Sequence, residues 1–362
     1  MTFDAPRSQH AFISGIQHIG IGVPDLDQAW HLYRRAFGFD VPVLRDQAEA
    51  PNMTRYTGGK VLVRDTVIAL NDKGGGGIEV CQIMSRPCER PSFAPALGDL
   101  GINAVRLGSE SPAQSLDHCR RLGFEVSAPS VAPSGEAIGS VIDPLGLVFQ
   151  FVETHSWFRN RNFHCGGVSG AMMGVRDINA ALDFYQNCLG FRRVIFDDTG
   201  HFEDFKSLPG GDGAYRRLLL ERDSPPRGPF GRLFGINRLE LVQCLDRTPQ
   251  KIFGNRQWGD QGFIHIGFDV VDLDGVLKNL SEAGYPTTIR SNDDFKIGDA
   301  AGSFAYVEDL DGTLVEIIET RRIPILKAIG WYLDLTKRER SSPVADWMLK
   351  ALALMRVRDR NP

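Results

Sequence analysis

Three ionisable residues in the C-terminal half of the chain stand alone in apolar runs. His265 lies within Phe263-Ile264-His265-Ile266-Gly267-Phe268, Glu240 between Leu239 and Leu241, and Glu316 between Val315 and Ile317. Short apolar runs of this kind read as strands, in which alternate side chains share a face. A buried carboxylate without a partner costs several kcal/mol, so each glutamate requires something positive beside it. Two readings follow. In one, His265 is a hydrogen-bonded core histidine and the glutamates pair with arginines such as Arg238. In the other, the three converge on a shared cation. Two more residues have the same character: His18 in Gln17-His18-Ile19-Gly20-Ile21-Gly22-Val23, and Glu79 in Ile78-Glu79-Val80-Cys81-Gln82.

The elements that carry these residues repeat. After the His18 run, Pro24-Asp25 punctuates the chain, and Asp25 suits a helix N-cap. Leu26, Ala29, Trp30, Tyr33 and Phe37 form one helical stripe, and Gly38 suits its C-terminal cap. Strands are expected near Val61–Leu70 and Ile78–Met84, with the glycine run 74–77 as the turn. The same order recurs after Asn103-Ala104-Val105-Arg106-Leu107, after Gly170-Ala171-Met172-Met173-Gly174-Val175, and after His265. The three later helices end in Leu122-Gly123-Phe124, Leu189-Gly190-Phe191 and Ala283-Gly284-Tyr285. Residues 142–154 align without gaps on 308–320. The chain therefore holds four units of the form βαβββ. A unit that cannot close its own core pairs with a neighbour. The expected class is α+β, with helices outside curved sheets.

The expected organisation is a lead-in at 1–12, an N-terminal domain at 13–155 from units one and two, and a C-terminal domain at 163–320 from units three and four. The tail, 321–362, is basic, with ten Lys or Arg against four Asp or Glu. Val344, Trp347, Met348, Ala351 and Met355 mark an amphipathic helix there. It reads as a clasp across the domains or a dimer contact, with a membrane-surface helix as the alternative. A net charge of −4 argues against a nucleic-acid partner. No apolar run is long enough to span a membrane. The six scattered cysteines read as reduced thiols, and a cytoplasmic protein is expected.

Paired βαβββ units, a His-bearing strand before a Val-x-Asp turn, helices ending in Leu-Gly-Phe and a closing D-x-x-G-x-x-x-E strand resemble the vicinal oxygen chelate superfamily. That group includes glyoxalase I, bleomycin-resistance-type binding proteins and extradiol dioxygenases. The resemblance implies two cupped sheets and a divalent ion held by the first and last strands of paired units. Carried over by position, the C-terminal domain offers Gly170, Glu240, His265 and Glu316, and the N-terminal domain His18, Glu79, Asn103 and Gln150. The expected metal set is His265, Glu240 and Glu316. A weaker set is His18, Glu79 and Gln150. One imidazole and two carboxylates suit Zn, Fe, Mn or Ni.

The resemblance further implies a small-molecule substrate with adjacent oxygens, acted on by isomerase, epimerase or lyase chemistry. A metal would act as Lewis acid, and Glu316 or Glu240 as general base. His201 and Arg216 are candidate substrate contacts, and Ser291–Gly302 a candidate lid. One alternative is an Fe(II) dioxygenase, for which Gly170 lacks the needed imidazole unless His164 replaces it. Another is a metal-free sequestration protein of the bleomycin-resistance type. A homodimer is compatible with all three.

Overall fold

The structure, a computed structural model, describes residues 11–292, 296–297, 300–326 and 330–358. Unit one comprises β1 (Phe12–Gly22), α1 (Leu26–Phe37), β2 (Val41–Glu49), β3 (Val63–Leu70) and β4 (Gly77–Ile83). Unit two comprises β5 (Gly101–Ser109), α2 (Pro112–Arg121), β6 (Glu125–Val126), β7 (Ser130–Val131), β8 (Ala137–Ile142) and β9 (Val148–Glu153). Unit three comprises β10 (Cys165–Gly174), α3 (Ile178–Leu182), β11 (Arg193–Gly200), β12 (Tyr215–Glu221), α4 (Gly231–Phe234) and β13 (Arg238–Cys244). Unit four comprises β14 (Gly262–Val271), α5 (Leu273–Glu282), β15 (Ile289–Arg290), β16 (Lys296–Ile297), β17 (Ala300–Glu308) and β18 (Leu314–Leu326). The tail adds β19 (Trp331–Asp334) and α6 (Asp346–Ala351).

The local grammar of the sequence is kept. Asp25 caps α1 by accepting from the Gln28 N–H, and Gly38 ends the helix at a φ of 71°, where a side chain would be strained. The buried stripe of α1 is Leu26, Ala29, Trp30, Tyr33, Ala36 and Phe37, as the spacing predicts.

The pairing of units differs from expectation. One sheet runs β15-β17-β18-β14-β1-β4-β3-β2, and the other β11-β12-β13-β10-β5-β9-β8-β6. Unit one thus shares a sheet with unit four, and unit two with unit three. The seam of the first sheet is antiparallel β1 against β14, with Gly20 opposite His265 and His18 opposite Gly267. The division into 13–155 and 163–320 therefore cuts across both sheets. The physical reason is that the repeats share one apolar pattern, so the pattern does not specify which first strand satisfies the open edge of another. Units one and two, and units three and four, meet through side chains of their helical segments instead. Tyr33 of α1 donates to Asp143 of unit two at 2.7 Å, and Tyr185 of unit three to Asp309 of unit four at 2.7 Å.

One face of each sheet joins the helices in a common core: Ile19 and Ile21, Val105 and Leu107, Ala171 and Met173, Ile266 and Phe268. The alternate residues face the other way and line two cups. The tail packs as a clasp. Val344, Leu349 and Leu352 are buried against Val41 of β2, Leu233 of α4 and Ile325 of β18. The expected stripe is partly displaced, since Trp347 is 58% exposed. The helix tightens into a 3-10 turn at Leu352–Met355, which rotates its buried face.

Candidate metal centre

The first cup gathers one donor from each of four strands. His18 comes from β1, Glu79 from β4, His265 from β14 and Glu316 from β18, and their ligand atoms all lie within 4.8 Å of one another. The register explains this. Glu79 lies opposite Gly20, two residues after His18, and Glu316 opposite Gly267, two residues after His265. Two-residue periodicity turns all four side chains to one face.

The glycines in these His-Ile-Gly triplets make room. A Cβ on Gly20 would lie 2.2 Å from the His265 ring, and one on Gly267 2.9 Å from the His18 ring. The closely paired backbones at β1 and β14 thus bring the imidazoles together.

Distances around the cluster are those of a shared coordination shell. The two Nε2 atoms are 3.0 Å apart. Glu316 Oε2 lies 3.1 Å from His18 Nε2 and 3.2 Å from His265 Nε2. Glu79 Oε2 lies 3.4 and 3.1 Å from the same atoms. Donors about 2.1 Å from one ion lie roughly 3.0 to 3.4 Å apart. Glu316 Oε2 is buried, and no hydrogen bond of good geometry reaches it from the described residues. The donors converge on a point rather than satisfying one another in pairs, so the residues fit a divalent ion.

Further side chains fix the imidazoles. His18 Nδ1 lies 3.1 Å from Gln17 Oε1, and Gln17 Nε2 donates to Thr320 at 3.2 Å and Asp269 at 3.4 Å. His265 Nδ1 lies 3.4 Å from the Tyr306 hydroxyl. An amide oxygen on Nδ1 selects the tautomer whose bare Nε2 faces the cluster, the usual support for a metal-binding imidazole.

Electrostatics give the site a pH signature. Burial alone would lower the His18 pKa, but the Glu316 and Glu79 carboxylates override it and raise it from 6.5 to about 9. His265 is raised by the same neighbours. Burial would push Glu79 and Glu316 up, yet the two imidazoles hold both below the usual carboxylate range. Without an ion, the charge on His18 stabilises the fold fully below pH 6.5, and that contribution is lost as pH rises through about 9. An ion requires the neutral imidazole and displaces this proton. Metal affinity is therefore expected to rise about tenfold per pH unit for each proton displaced, from pH 6.5 until it levels near 9. Metal titrations across that interval check this, and a flat profile would contradict it.

Glu240 is not in this cluster. It lies in the second cup, fully buried, with Arg217 Nε at 2.7 Å and Arg106 Nη1 at 3.2 Å. Arg217 also bonds Asp204 at 2.8 Å, and its guanidinium lies 3.6 Å from the centre of the Phe205 ring. Burial would lower the Arg217 pKa, but Glu240 and Asp204 raise it. Expecting Glu240 as ligand and base beside His265 is corrected by the strand pairing, which sends β13 and β14 to different sheets. The pairing with arginine was the right reading for this glutamate, with Arg217 and Arg106 in place of Arg238.

The rest of the second cup has lost its donors. Gln150 lies opposite Arg106, so the residue equivalent to His265 is Ala104, two positions earlier, and not Asn103. Asn103 faces the other way, accepting from the Gly98 N–H and donating to the Asp99 carbonyl. Gln150 bonds only Ser140, at 3.4 Å, among its described partners. At Gly170 a Cβ would come within 2.0 Å of the Arg238 carbonyl oxygen, so no imidazole fits there. His164 lies on the helix side, 2.9 Å from Ser115, where burial lowers its pKa to about 3. Neither residue of the substrate pair reaches the cluster. His201 is exposed near the Asp212 carbonyl, and Arg216 pairs with Asp197 at 2.8 Å on the second sheet.

A cavity of ≈ 190 Å³ opens over the cluster, with Glu79, Glu316 and His18 in its lining. Ala301 and Gly302 of the expected lid line it, whereas residues 293–295 and 298–299 lie outside the described residues. No described helix is long and apolar enough to cross a membrane.

Residues 164–317 match the family model described as Glyoxalase/Bleomycin resistance protein/Dioxygenase superfamily. Glyoxalase I from Zea mays is 15% identical and shares the fold at a TM-score of 0.51, over 84% of this chain and 92% of its own. A Bacillus subtilis protein described as a "putative dioxygenase" is 16% identical, with a TM-score of 0.52 over 85% of this chain and 86% of its own. No curated protein sequence matches the chain.

Proposed function

We propose, for a chain whose residues 164–317 belong to the glyoxalase/bleomycin resistance protein/dioxygenase superfamily, a metal-dependent enzyme that moves a proton on a small molecule with adjacent oxygens. The observation that carries this is the convergence of His18, Glu79, His265 and Glu316 beneath a cavity. A divalent ion held by these four would supply Lewis acidity toward substrate oxygens. The imidazoles orient the site, each fixed at its Nδ1 side by Gln17 or Tyr306. Glu316 is the residue we assign to accept and return the proton at its carboxylate, because it faces the cavity and the donor cluster and, unlike Glu79, has a buried Oε2 with no hydrogen-bond partner among the described residues. Glu79 mirrors it from the opposite unit and is assigned to holding the ion.

Isomerisation, epimerisation and lyase chemistry all use such a proton transfer. The six cysteines are all free thiols, which supports a reducing, cytoplasmic setting. Both cups are completed within one chain, so a homodimer is not needed to build the site.

The test is a Glu316→Gln variant. It is expected to retain most of its metal and to lose about 10²- to 10⁴-fold in turnover, the usual effect of removing a general base. Hydrogen exchange at the carbon beside the substrate oxygens, followed by NMR, reads the step directly. Unchanged exchange in the variant would overturn the assignment. A second reading, an Fe(II) dioxygenase, draws on the two imidazoles, since two His with one carboxylate suit that chemistry. The fourth donor argues against it. Iron-dependent oxygen uptake would favour the second reading over the first.

A further inference from the structure

The shape of the cavity says which end of a substrate lies where. Along β3 the lining residues run Arg64, Ile68, Leu70. Ile68 lies opposite Glu79, which places the donor cluster at the middle of this row. Toward Arg64 the lining is mixed and opens outward: Glu49 is exposed and Asn52 half-buried, beside buried Ala50 and Met53. Arg64 is the one guanidinium among the described lining residues, and it already pairs with Asp46 at 3.4 Å. Toward Leu70 the lining is apolar and closed, with Phe230, Leu233 and Phe234 beside Leu352. All four are buried, as is Leu70.

That closed end is built only in part by the two units that supply the donors. Phe230, Leu233 and Phe234 belong to α4 and its approach, an insertion between β12 and β13 of unit three. Leu352 comes from the tail, beyond the last repeat. Together with Val41 and Ile325 they form one apolar cluster. The tail, and α4 from unit three, therefore complete the wall of a site whose donors come from units one and four.

We infer that the substrate carries an apolar body, an alkyl chain or an aromatic ring, joined directly to its adjacent oxygens, and that α4 and the tail set the length accepted. This rests on the reading of the cluster as a metal site. The oxygens sit at the donors, the apolar body points toward Leu70 and Leu352, and any polar end points to the mouth beside Arg64. Burying each added methylene strengthens binding about fourfold.

The experiment measures calorimetric affinity of the Mn-loaded full chain for lactate, 2-hydroxyhexanoate and 2-hydroxyoctanoate. Affinity is expected to climb by about fourfold per methylene. Leu352→Trp is expected to weaken 2-hydroxyoctanoate by about tenfold through overpacking, with lactate and metal content unchanged. The same series on His265→Ala separates the two claims. A chain-length gradient that survives there at equal affinity supports the apolar wall while removing the metal reading. Metal-dependent binding with no chain-length gradient overturns the inference and leaves the metal reading standing. A gradient unaltered in Leu352→Trp also overturns the role of the tail.

Discussion

His18→Ala is expected to abolish metal binding as fully as His265→Ala, although the two residues lie 247 positions apart in the chain. Wild-type protein should carry about one ion per chain, and each variant well under a tenth of that. The reason is geometric. Each Nε2 is within 3.4 Å of both carboxylates, so the set is one shell shared by two units. Loss of either imidazole leaves two carboxylates facing one remaining ring. Elemental analysis of purified variants checks this, with circular dichroism to confirm folding. Metal retained in His18→Ala but lost in His265→Ala would mean that unit four binds alone.

The second large effect lies in the other cup. Arg217→Ala is expected to destabilise the fold by about 3 to 5 kcal/mol, the usual cost of removing one partner from a buried pair. Asp204 would lose Arg217, and Glu240 would keep only the more distant Arg106. Metal content should not change, because this network lies in the sheet of units two and three. Urea unfolding with and without a chelator separates the outcomes. A variant with normal stability and no metal would place Glu240 back in the metal site.

Together these variants treat the two cups as alternative solutions to one problem. Both place a buried glutamate on the last strand of a half-unit. In the first cup the compensating charge would be a bound cation, held by the imidazoles and carboxylates that the small residues Gly20 and Gly267 bring together. In the second, arginine guanidinium groups fill the space that Ala104 and Gly170 leave empty of donors. The second cup thus holds a structural ion network at the place equivalent to the donor cluster of the first.

Much of this was legible in the residues. The four repeats, the α1 caps and the lone ionisable residues in apolar strands all follow from local spacing, and local spacing is what propensity and periodicity encode. His18, Glu79, His265 and Glu316 were each visible as candidates. What the repeats did not encode was which unit pairs with which, because every first strand presents a similar apolar edge. Assigning Glu240 to His265 followed from sequence adjacency, and strand pairing overrides adjacency. The Asn103 position was one residue off, and a one-residue slip in a strand reverses the face. A sharper signal was present: His-Ile-Gly occurs at 18–20 and at 265–267, and nowhere else in the sequence. The contribution of the tail to the cavity had no sequence signal, since its stripe shows what is apolar but not what it covers.

The central claim is that one ion sits between units one and four. Anomalous scattering from a crystal of the protein grown with Mn(II) tests it most directly. A single strong peak is expected among His18, Glu79, His265 and Glu316, at the point on which the four donor atoms converge. A peak beside Glu240, or none among these four with the metal present in excess, would contradict it.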